Sequence, residues 1–218
     1  MKAVGMSEHG LMDIKDERSK EAVMEERQGI KSPKIYYISD YHFDHELARK
    51  RSRSEWFATV EQMNEEMITR HNEKVGTEDI VYILGDIVVC EEARLKERLD
   101  ATVGRLQGHL HLILGNHDYK YKELEVFRSY FETVEESAII RDGRHFVQLY
   151  HYPILCWYKK HKGAYHVYGH LHNERNGVEC QILKQEPKAL NACVEITRYE
   201  PCTLEELVKR NQAWENEW

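Results

Sequence analysis

Short apolar runs recur along the chain and stop at polar residues. In the first half they alternate with longer stretches whose apolar residues return every three or four positions. We predict strands over 35–38 and 80–84 and a third that ends at Leu114, with helices over 55–74, 91–99 and 121–130. This alternation of strand and helix predicts a βαβ arrangement in the first half of the chain.

After residue 130 the pattern changes to short runs with few helices between them. We predict strands over 133–140, 145–150, 165–168, 177–183 and 189–196. Asp142-Gly143 predicts a tight hairpin turn between two of these runs. Thr203 and Glu206 have the spacing of a capping box and predict the start of a final helix. A βαβ first half and a strand-rich second half predict two β-sheets packed face to face, with helices outside.

The first 32 residues differ from the rest because charge dominates them. A stretch over 13–27 has a helical composition, but its apolar residues form no wide stripe. We therefore expect a charged, partly helical N-terminal appendage over 1–32. The remaining residues, 33–218, fit a single domain with a sizeable core.

Composition narrows the class of protein further. A hydrophobic share of 41% and a charged share of 32% describe an ordinary soluble protein. No run approaches the roughly 20 apolar residues that a membrane helix needs. The net charge of -7 argues against holding nucleic acid by general phosphate attraction. Five cysteines without a C-x-x-C pair, in a chain without an export signal, indicate reduced thiols. We expect a cytoplasmic protein, with an oligomeric state that the sequence leaves open.

Side chains that bind metal ions stand at the ends of the apolar runs. The patches are Asp40-Tyr41-His42, Gly85-Asp86, Gly115-Asn116-His117-Asp118, His151 and Gly169-His170-Leu171-His172. Strands deliver their last residues to one edge of a sheet, so we expect these patches to converge. Two carboxylates, an amide oxygen and four imidazoles, with no thiolate, suit Mn, Fe, Zn, Co or Ni. Seven ligands are too many for one ion and fit two.

The five patches resemble the signature of the calcineurin-like metallophosphoesterase superfamily. That signature reads D-x-H, G-D, G-N-H-D or G-N-H-E, a later H, and G-H-x-H. Residues 39–45 also resemble the S-D-T-H-F-G-H opening of a small bacterial phosphoesterase branch, with Asp44 in place of the glycine. The resemblance spans Asp40 to His172. It implies an α/β fold, a four-layer α/β/β/α sandwich of two mixed β-sheets flanked by helices.

The resemblance also implies a role for each residue of the patches. A first divalent ion would bind Asp40, His42 and His172, and a second would bind Asn116, His151 and His170. Asp86 would bridge the two ions. His117 would act as general acid or transition-state stabiliser, oriented by Asp118. The implied activity is hydrolysis of a small phosphomonoester or phosphodiester, by attack of a metal-bridging hydroxide.

For the residues that contact the substrate, and for the function itself, the sequence leaves alternatives. Two roles are equally consistent with His45: it contacts the phosphate of the substrate, or it packs the loop. Arg49 is a candidate phosphate contact, in a basic run with Arg51 and Arg53 that also fits a solvated helix face. Two alternatives remain: a nuclease acting on a phosphodiester backbone, and a non-catalytic binding scaffold of the same fold. The presence of His117 and of the full ligand set favours the enzyme.

Overall fold

The computed structural model describes residues 32–216. The α-helices are α1 (Glu46–Ala48), α2 (Val60–Lys74), α3 (Leu95–Ala101), α4 (Glu125–Arg128), α5 (Val178–Leu183), α6 (Val194–Thr197) and α7 (Leu204–Asn216). The strands are β1 (Ile35–Ile38), β2 (Ile80–Ile83), β3 (His109–Ile113), β4 (Thr133–Glu135), β5 (Ser137–Asp142), β6 (His145–Tyr150), β7 (Tyr165–Tyr168) and β8 (Ala189–Asn191). A π-helical turn, Arg49–Arg53, follows α1, and short 3-10 turns lie at Glu92–Arg94, Val103–Arg105 and Lys160–Lys162.

The strands form two four-stranded sheets, in the orders β1-β2-β3-β4 and β5-β6-β7-β8. The first sheet is entirely parallel, because a helical segment returns the chain to the same edge before each new strand. The second sheet is mixed, with an antiparallel β5–β6 hairpin and parallel β6, β7 and β8. The expected mixed character therefore holds for the second sheet only.

Alternate residues of the first sheet enter different cores, as the two-residue period of a strand requires. On its outer face, side chains of β1, β2 and β3 such as Ile38 and Ile83 pack with Met63 and Met67 of α2. On its inner face, Tyr37 and its neighbours pack against the second sheet. The first half of the chain therefore folds as βαβ units, because its strands are apolar on both faces.

The second sheet supplies the other half of the inner core and a third, smaller cluster. Val147, Leu149 and Val167 face the first sheet. On the opposite face, Tyr168 packs with Leu183 of α5. Helices, two four-stranded sheets and an outer helix give the α/β sandwich that the sequence predicts.

Several local predictions are confirmed and others are wrong. The hairpin forms at Asp142-Gly143, and Thr203 and Glu206 make the expected reciprocal cap of α7. The run over 133–140 divides between β4 of the first sheet and β5 of the second. The predicted strand over 177–183 is the helix α5, and 189–196 is a strand only as far as Asn191.

Two helices are shorter than predicted. The helix predicted over 55–74 begins at Val60, because Thr59 accepts a hydrogen bond from the amide of Gln62. The helix predicted over 121–130 is reduced to α4. Within residues 32–216, no helix has the length and apolar character needed to cross a membrane. The appendage predicted over 1–32 lies, apart from Ser32, outside the described residues, so its boundary stays a prediction.

Candidate metal centre

The predicted ligands occupy loops that directly follow strands of the two sheets. In the first sheet, Asp40 and His42 follow β1, Asp86 follows β2 and Asn116 follows β3. In the second sheet, His151 follows β6, while His170 and His172 follow β7. Within each sheet the strands that carry these loops run parallel to one another, β1, β2 and β3 in the first and β6 and β7 in the second. Their carboxyl ends therefore bring the loops to one edge, as expected from the sequence.

Asp40 and Asp86 lie at the centre of the cluster of ligand atoms. The Oδ1 atom of Asp40 lies 3.6 Å from Nε2 of His42 and 3.7 Å from Nε2 of His172. The Oδ2 atom of Asp86 lies 3.6 Å from Nε2 of His42 and 3.7 Å from Nε2 of His151. Three sets of ligand atoms lie close enough together to hold one ion: Asp40 with His42 and His172, Asp40 with Asp86 and His151, and His42 with Asp86 and His117.

The remaining two predicted ligands, Asn116 and His170, both lie next to His151. The amide oxygen of Asn116 is 3.2 Å from Nε2 of His151. The His170 ring meets the His151 ring edge-on, with 5.2 Å between the centroids. The structure thus brings all seven predicted ligands into one cluster, in which Asp86 lies close to both His42 and His151.

The backbone that presents these ligands is strained. Five of the seven have a left-handed conformation, with φ between +48° and +69°: Asp40, His42, Asp86, His170 and His172. Such a conformation costs a residue other than glycine roughly 1–2 kcal/mol, and strain of this kind concentrates at functional sites. Asp44 also has a φ of +62°, which explains why glycine stands there in the motif that the segment resembles.

Backbone hydrogen bonds between the loops hold this conformation. The Asp40 amide donates to the carbonyl of Gly85 at 3.0 Å, and the His42 amide donates to the carbonyl of Asp86 at 2.9 Å. The first two ligand loops are therefore fastened to each other, so that the ligands are arranged before any ion binds.

Two buried ligand atoms have no hydrogen-bond partner within residues 32–216. They are Oδ1 of Asp40 and Nε2 of His42, which face each other across 3.6 Å. A buried polar atom without a partner is costly, and a cation between the two atoms would satisfy both. The mixed oxygen and nitrogen donors suit a divalent transition metal, so the residues present fit a metal centre.

Charge is unevenly distributed between the two carboxylates. Burial would raise the pKa of Asp40, but the surrounding histidines outweigh it and hold that pKa well below its ordinary value. Burial and the nearby charge of Asp40 raise the pKa of Asp86. Two carboxylates this close, without a counter-ion, cannot both ionise freely. A divalent ion would remove that conflict.

His117 and Asp118 lie beside the cluster. The carboxylate of Asp118 bonds to backbone amides and not to the His117 ring. The His117 ring is 38% exposed, and its Nε2 atom is 4.0 Å from Oδ2 of Asp86. Burial and the charge of Lys120 lower the pKa of His117. The Asp118 carboxylate is fully buried and accepts hydrogen bonds from three backbone amides, those of Asp86, Ile87 and Gly115.

Asp118 therefore fastens the second ligand loop to the third, and all three of these hydrogen bonds come from the backbone rather than from the His117 ring. These hydrogen bonds join two loops, and the predicted role of orienting the His117 ring stays a prediction. The sequence could not reveal these hydrogen bonds, because the partners are backbone amides that any residue would provide.

A cleft of about 550 Å³ opens above the ligands. His42, Asp86, Asn116, His117, His170 and His172 line its floor, and His45, Arg51 and Arg175 are among the residues of its walls. The His45 ring lies with its Nδ1 3.1 Å from Nδ1 of His42. His45 thus lines the cleft next to a predicted ligand, and its contact to a phosphate stays a prediction.

Arg49, the other predicted substrate contact, is not among the residues that line this cleft. Its guanidinium forms a two-point ion pair with Glu46 and donates to the carbonyl of Phe57. Arg51 lines the cleft instead, because the π-helical turn directs neighbouring arginines differently. The predicted phosphate contact of Arg49 has no support from this cleft and stays a prediction.

Two further residues at the site were not predicted from the sequence. Arg53 and Glu195 form a buried ion pair, with Nε 2.8 Å from Oε1, and the same oxygen lies 3.1 Å from Nδ1 of His172. Arg53 stood in a basic run that fitted a solvated face. Glu195 offered one signal, a single charge among apolar residues over 192–196, which is typical of a buried, paired carboxylate.

Comparison with known proteins gives relatives without a stated function. No protein-family model matches the chain. The uncharacterized protein MJ1445 of Methanocaldococcus jannaschii is 32% identical over 176 residues, which are 81% of this chain and 90% of that protein.

Solved structures extend the comparison. The protein of unknown function AQ665 from Aquifex aeolicus is similar with a TM-score of 0.61 and 26% identity, over 82% of this chain and 99% of that one. Yfce, a phosphoesterase from E. coli, has a TM-score of 0.33 and 16% identity, over 73% and 78%.

Proposed function

The chain belongs to the family of the Methanocaldococcus jannaschii protein MJ1445, and from the geometry of its site we propose that it is a metal-dependent phosphoesterase. The observation that carries the proposal is the convergence of five separate loops on one cluster, in which Asp86 lies within 4.0 Å of His42, His117 and His151 from three of the other loops. On one side Asp40 and His42 each have a buried ligand atom without a partner within residues 32–216. On the other side the amide oxygen of Asn116 lies 3.2 Å from Nε2 of His151. The sequence motifs at these loops resemble those of calcineurin-like metallophosphoesterases.

The two groups of ligands have different parts in the proposal. Asp40, His42 and His172 would hold one divalent ion, Asn116, His151 and His170 a second, and Asp86 would contact both. Ions bound there would supply a more acidic water and would offset the negative charge of a phosphate ester. The manganese, iron, zinc, cobalt and nickel ions all suit this donor set.

His117 is the proposed proton donor to the leaving group. It lies at the cleft, within 4.0 Å of Asp86, and its ring is exposed enough to reach a substrate. An imidazole that can donate a proton near neutral pH lowers the barrier to departure of an alkoxide. Burial and the charge of Lys120 lower the pKa of His117, so the protonated ring would depend on the negative charge of a bound phosphate ester to favour it.

Arg51 is the proposed contact to the substrate's phosphate. Within residues 32–216 its guanidinium has no ion-pair or hydrogen-bond partner, whereas Arg49 and Arg53 are both fully engaged with protein groups. A free guanidinium on the wall of a cleft can bind a phosphate through two parallel hydrogen bonds. The open cleft accommodates a small phosphomonoester or phosphodiester.

Hydrolysis of p-nitrophenyl phosphate and bis-p-nitrophenyl phosphate by the Mn²⁺-loaded protein tests this function. His117→Ala should lower kcat by a factor of about 10²–10⁴, the range typical of general acid catalysis. His111→Ala is the matched control: this partly buried histidine of β3 bonds to Thr133 and is not among the residues of the cleft. Equal activity of the two variants would contradict the role of His117, and absence of turnover by the wild type would contradict the function.

A further inference from the structure

A buried pair of charges lies beneath the first ligand loop and takes no direct part in the proposed chemistry. We propose that Glu195 and Arg53 are positioning residues of the metal centre. Glu195 orients the His172 ring, and Arg53 fixes the backbone of the loop that carries Asp40. The inference rests on the proposed metal centre and adds the residues that arrange it.

Glu195 determines which nitrogen of His172 faces the cluster. Its Oε1 atom lies 3.1 Å from Nδ1 of the ring, and a carboxylate can only accept, so Nδ1 carries the proton. The lone pair of Nε2 is then directed towards the cluster, 3.7 Å from Oδ1 of Asp40. A carboxylate behind a histidine ligand fixes the ring and makes it a better donor to a metal.

Arg53 acts on the other ligand-bearing loop. Its Nη2 donates to the carbonyl of Asp40 and its Nη1 to the carbonyl of Tyr41, each at 2.7 Å. These carbonyls belong to the segment in which Asp40 has a left-handed backbone, with φ of +59°. Two charge-assisted hydrogen bonds from a buried guanidinium offset the strain of that conformation.

One carboxylate oxygen joins the two halves of this arrangement. Oε1 of Glu195 receives Nε of Arg53 at 2.8 Å, Nδ1 of His172 at 3.1 Å and the hydroxyl of Ser52 at 3.3 Å. Oε2 has no hydrogen-bond partner within residues 32–216. The first ligand loop and the last therefore meet at a single atom, 142 residues from Arg53 along the chain.

Stability alone does not account for burying this pair. The Arg53 side chain is fully buried and that of Glu195 is 4% exposed, and a buried ion pair is often no more stabilising than apolar side chains of the same volume. A role in arranging ligands gives the pair a function that packing does not. Glutamine at 195 would keep an acceptor for His172 but lose the charge that balances Arg53, so the two roles can be separated.

The test measures Mn²⁺ affinity and unfolding free energy together. Glu195→Ala removes the acceptor and the charge, and we expect 10- to 100-fold weaker Mn²⁺ binding at one site, followed through the electron paramagnetic resonance signal of free Mn²⁺. Glu195→Gln removes only the charge and should recover most of the affinity, although both variants lose stability. Affinity that falls equally in the two variants, in step with stability, would overturn the inference.

A matched control removes the same type of contact elsewhere. Glu132 lies 2.8 Å from Nδ1 of His109 at an exposed site, and Glu132→Ala should leave Mn²⁺ binding unchanged. Wild-type protein that binds no Mn²⁺ would refute the proposed function, whereas wild-type binding that Glu195→Ala leaves intact would refute this inference alone.

A second measurement needs no variant and therefore no assumption about folding. Long-range proton–nitrogen correlation spectra of the Zn²⁺-loaded wild type report which ring nitrogen of His172 carries the proton. We expect a proton on Nδ1 and the metal on Nε2. Metal on Nδ1 would overturn the role of Glu195.

Discussion

Gly85 is the residue whose replacement tests most directly how closely the ligand loops must approach one another. It has a φ of +92°, and a Cβ atom there would lie 2.5 Å from the amide nitrogen of Gly115 and 2.6 Å from Nδ1 of His151. Gly143, in the β5–β6 hairpin, also has a positive φ, of +54°, but a Cβ there would meet nothing within 4 Å. Both positions have a strained backbone conformation, but only at Gly143 is there room for a Cβ atom.

The expected magnitudes follow from this difference. Backbone strain alone costs roughly 1–2 kcal/mol for an alanine with positive φ, so Gly143→Ala should lose about that much unfolding free energy. Gly85→Ala adds overpacking against backbone and a ligand side chain, which costs about 1–3 kcal/mol more. It should also displace Asp86 and Asn116, each adjacent to a glycine in this contact, and so weaken metal binding.

Urea unfolding followed by circular dichroism, on metal-free protein, gives both free energies. We expect Gly85→Ala to be the less stable variant by about 1–3 kcal/mol and the only one of the two with impaired Mn²⁺ binding. Equal losses for the two variants, or full metal binding by Gly85→Ala, would refute the argument that the loops need this close contact.

Two further predictions concern the substrate and pH. Arg51→Ala should raise KM about 10- to 100-fold with little change in kcat, because a hydrogen bond to a charged group contributes about 1.5–3 kcal/mol; Arg49→Ala, which removes the same charge two residues away, should leave KM unchanged, and equal effects would contradict the assignment. Burial lowers the pKa of His71 to about 4, and the neutral ring accepts from the Tyr41 hydroxyl and donates to the carbonyl of Gln107. In the unfolded chain His71 binds this proton near pH 6.5, so the neutral ring contributes fully to the unfolding free energy above pH 6.5. This contribution, about 3 kcal/mol, is lost as the pH falls through 4. Unfolding curves of the wild type and His71→Gln should therefore converge between pH 6.5 and 4, and curves that stay parallel would contradict this.

The sequence predicted the positions of the ligands because they depend on short-range pattern. Apolar runs such as 35–38 and 80–84 end at a polar patch, and parallel strands bring their ends to one edge. The two-sheet architecture followed from the same runs. The strand predicted over 177–183 failed because Val178, Cys180 and Ile182 alternate as in a strand, and seven residues are too few to distinguish that pattern from a helix.

Contacts that depend on three-dimensional approach could not be predicted. The direction of Arg49, Arg51 and Arg53 depends on a π-helical turn that has no clear sequence signal. The pairing of Arg53 with Glu195 joins distant segments, and the carboxylate of Asp118 bonds to backbone amides. In each case the residue type was visible in the sequence, but its partner is set by the packing of loops around the ligands.

The central claim is that the converging loops form a metal centre that hydrolyses phosphate esters. The most direct measurement is turnover of bis-p-nitrophenyl phosphate and p-nitrophenyl phosphate by metal-stripped protein as Mn²⁺ is added in measured equivalents. We expect activity to rise from near zero and to level off after two equivalents. Absence of turnover of either ester with Mn²⁺, Zn²⁺, Fe²⁺, Co²⁺ or Ni²⁺, at any number of equivalents, would contradict the account.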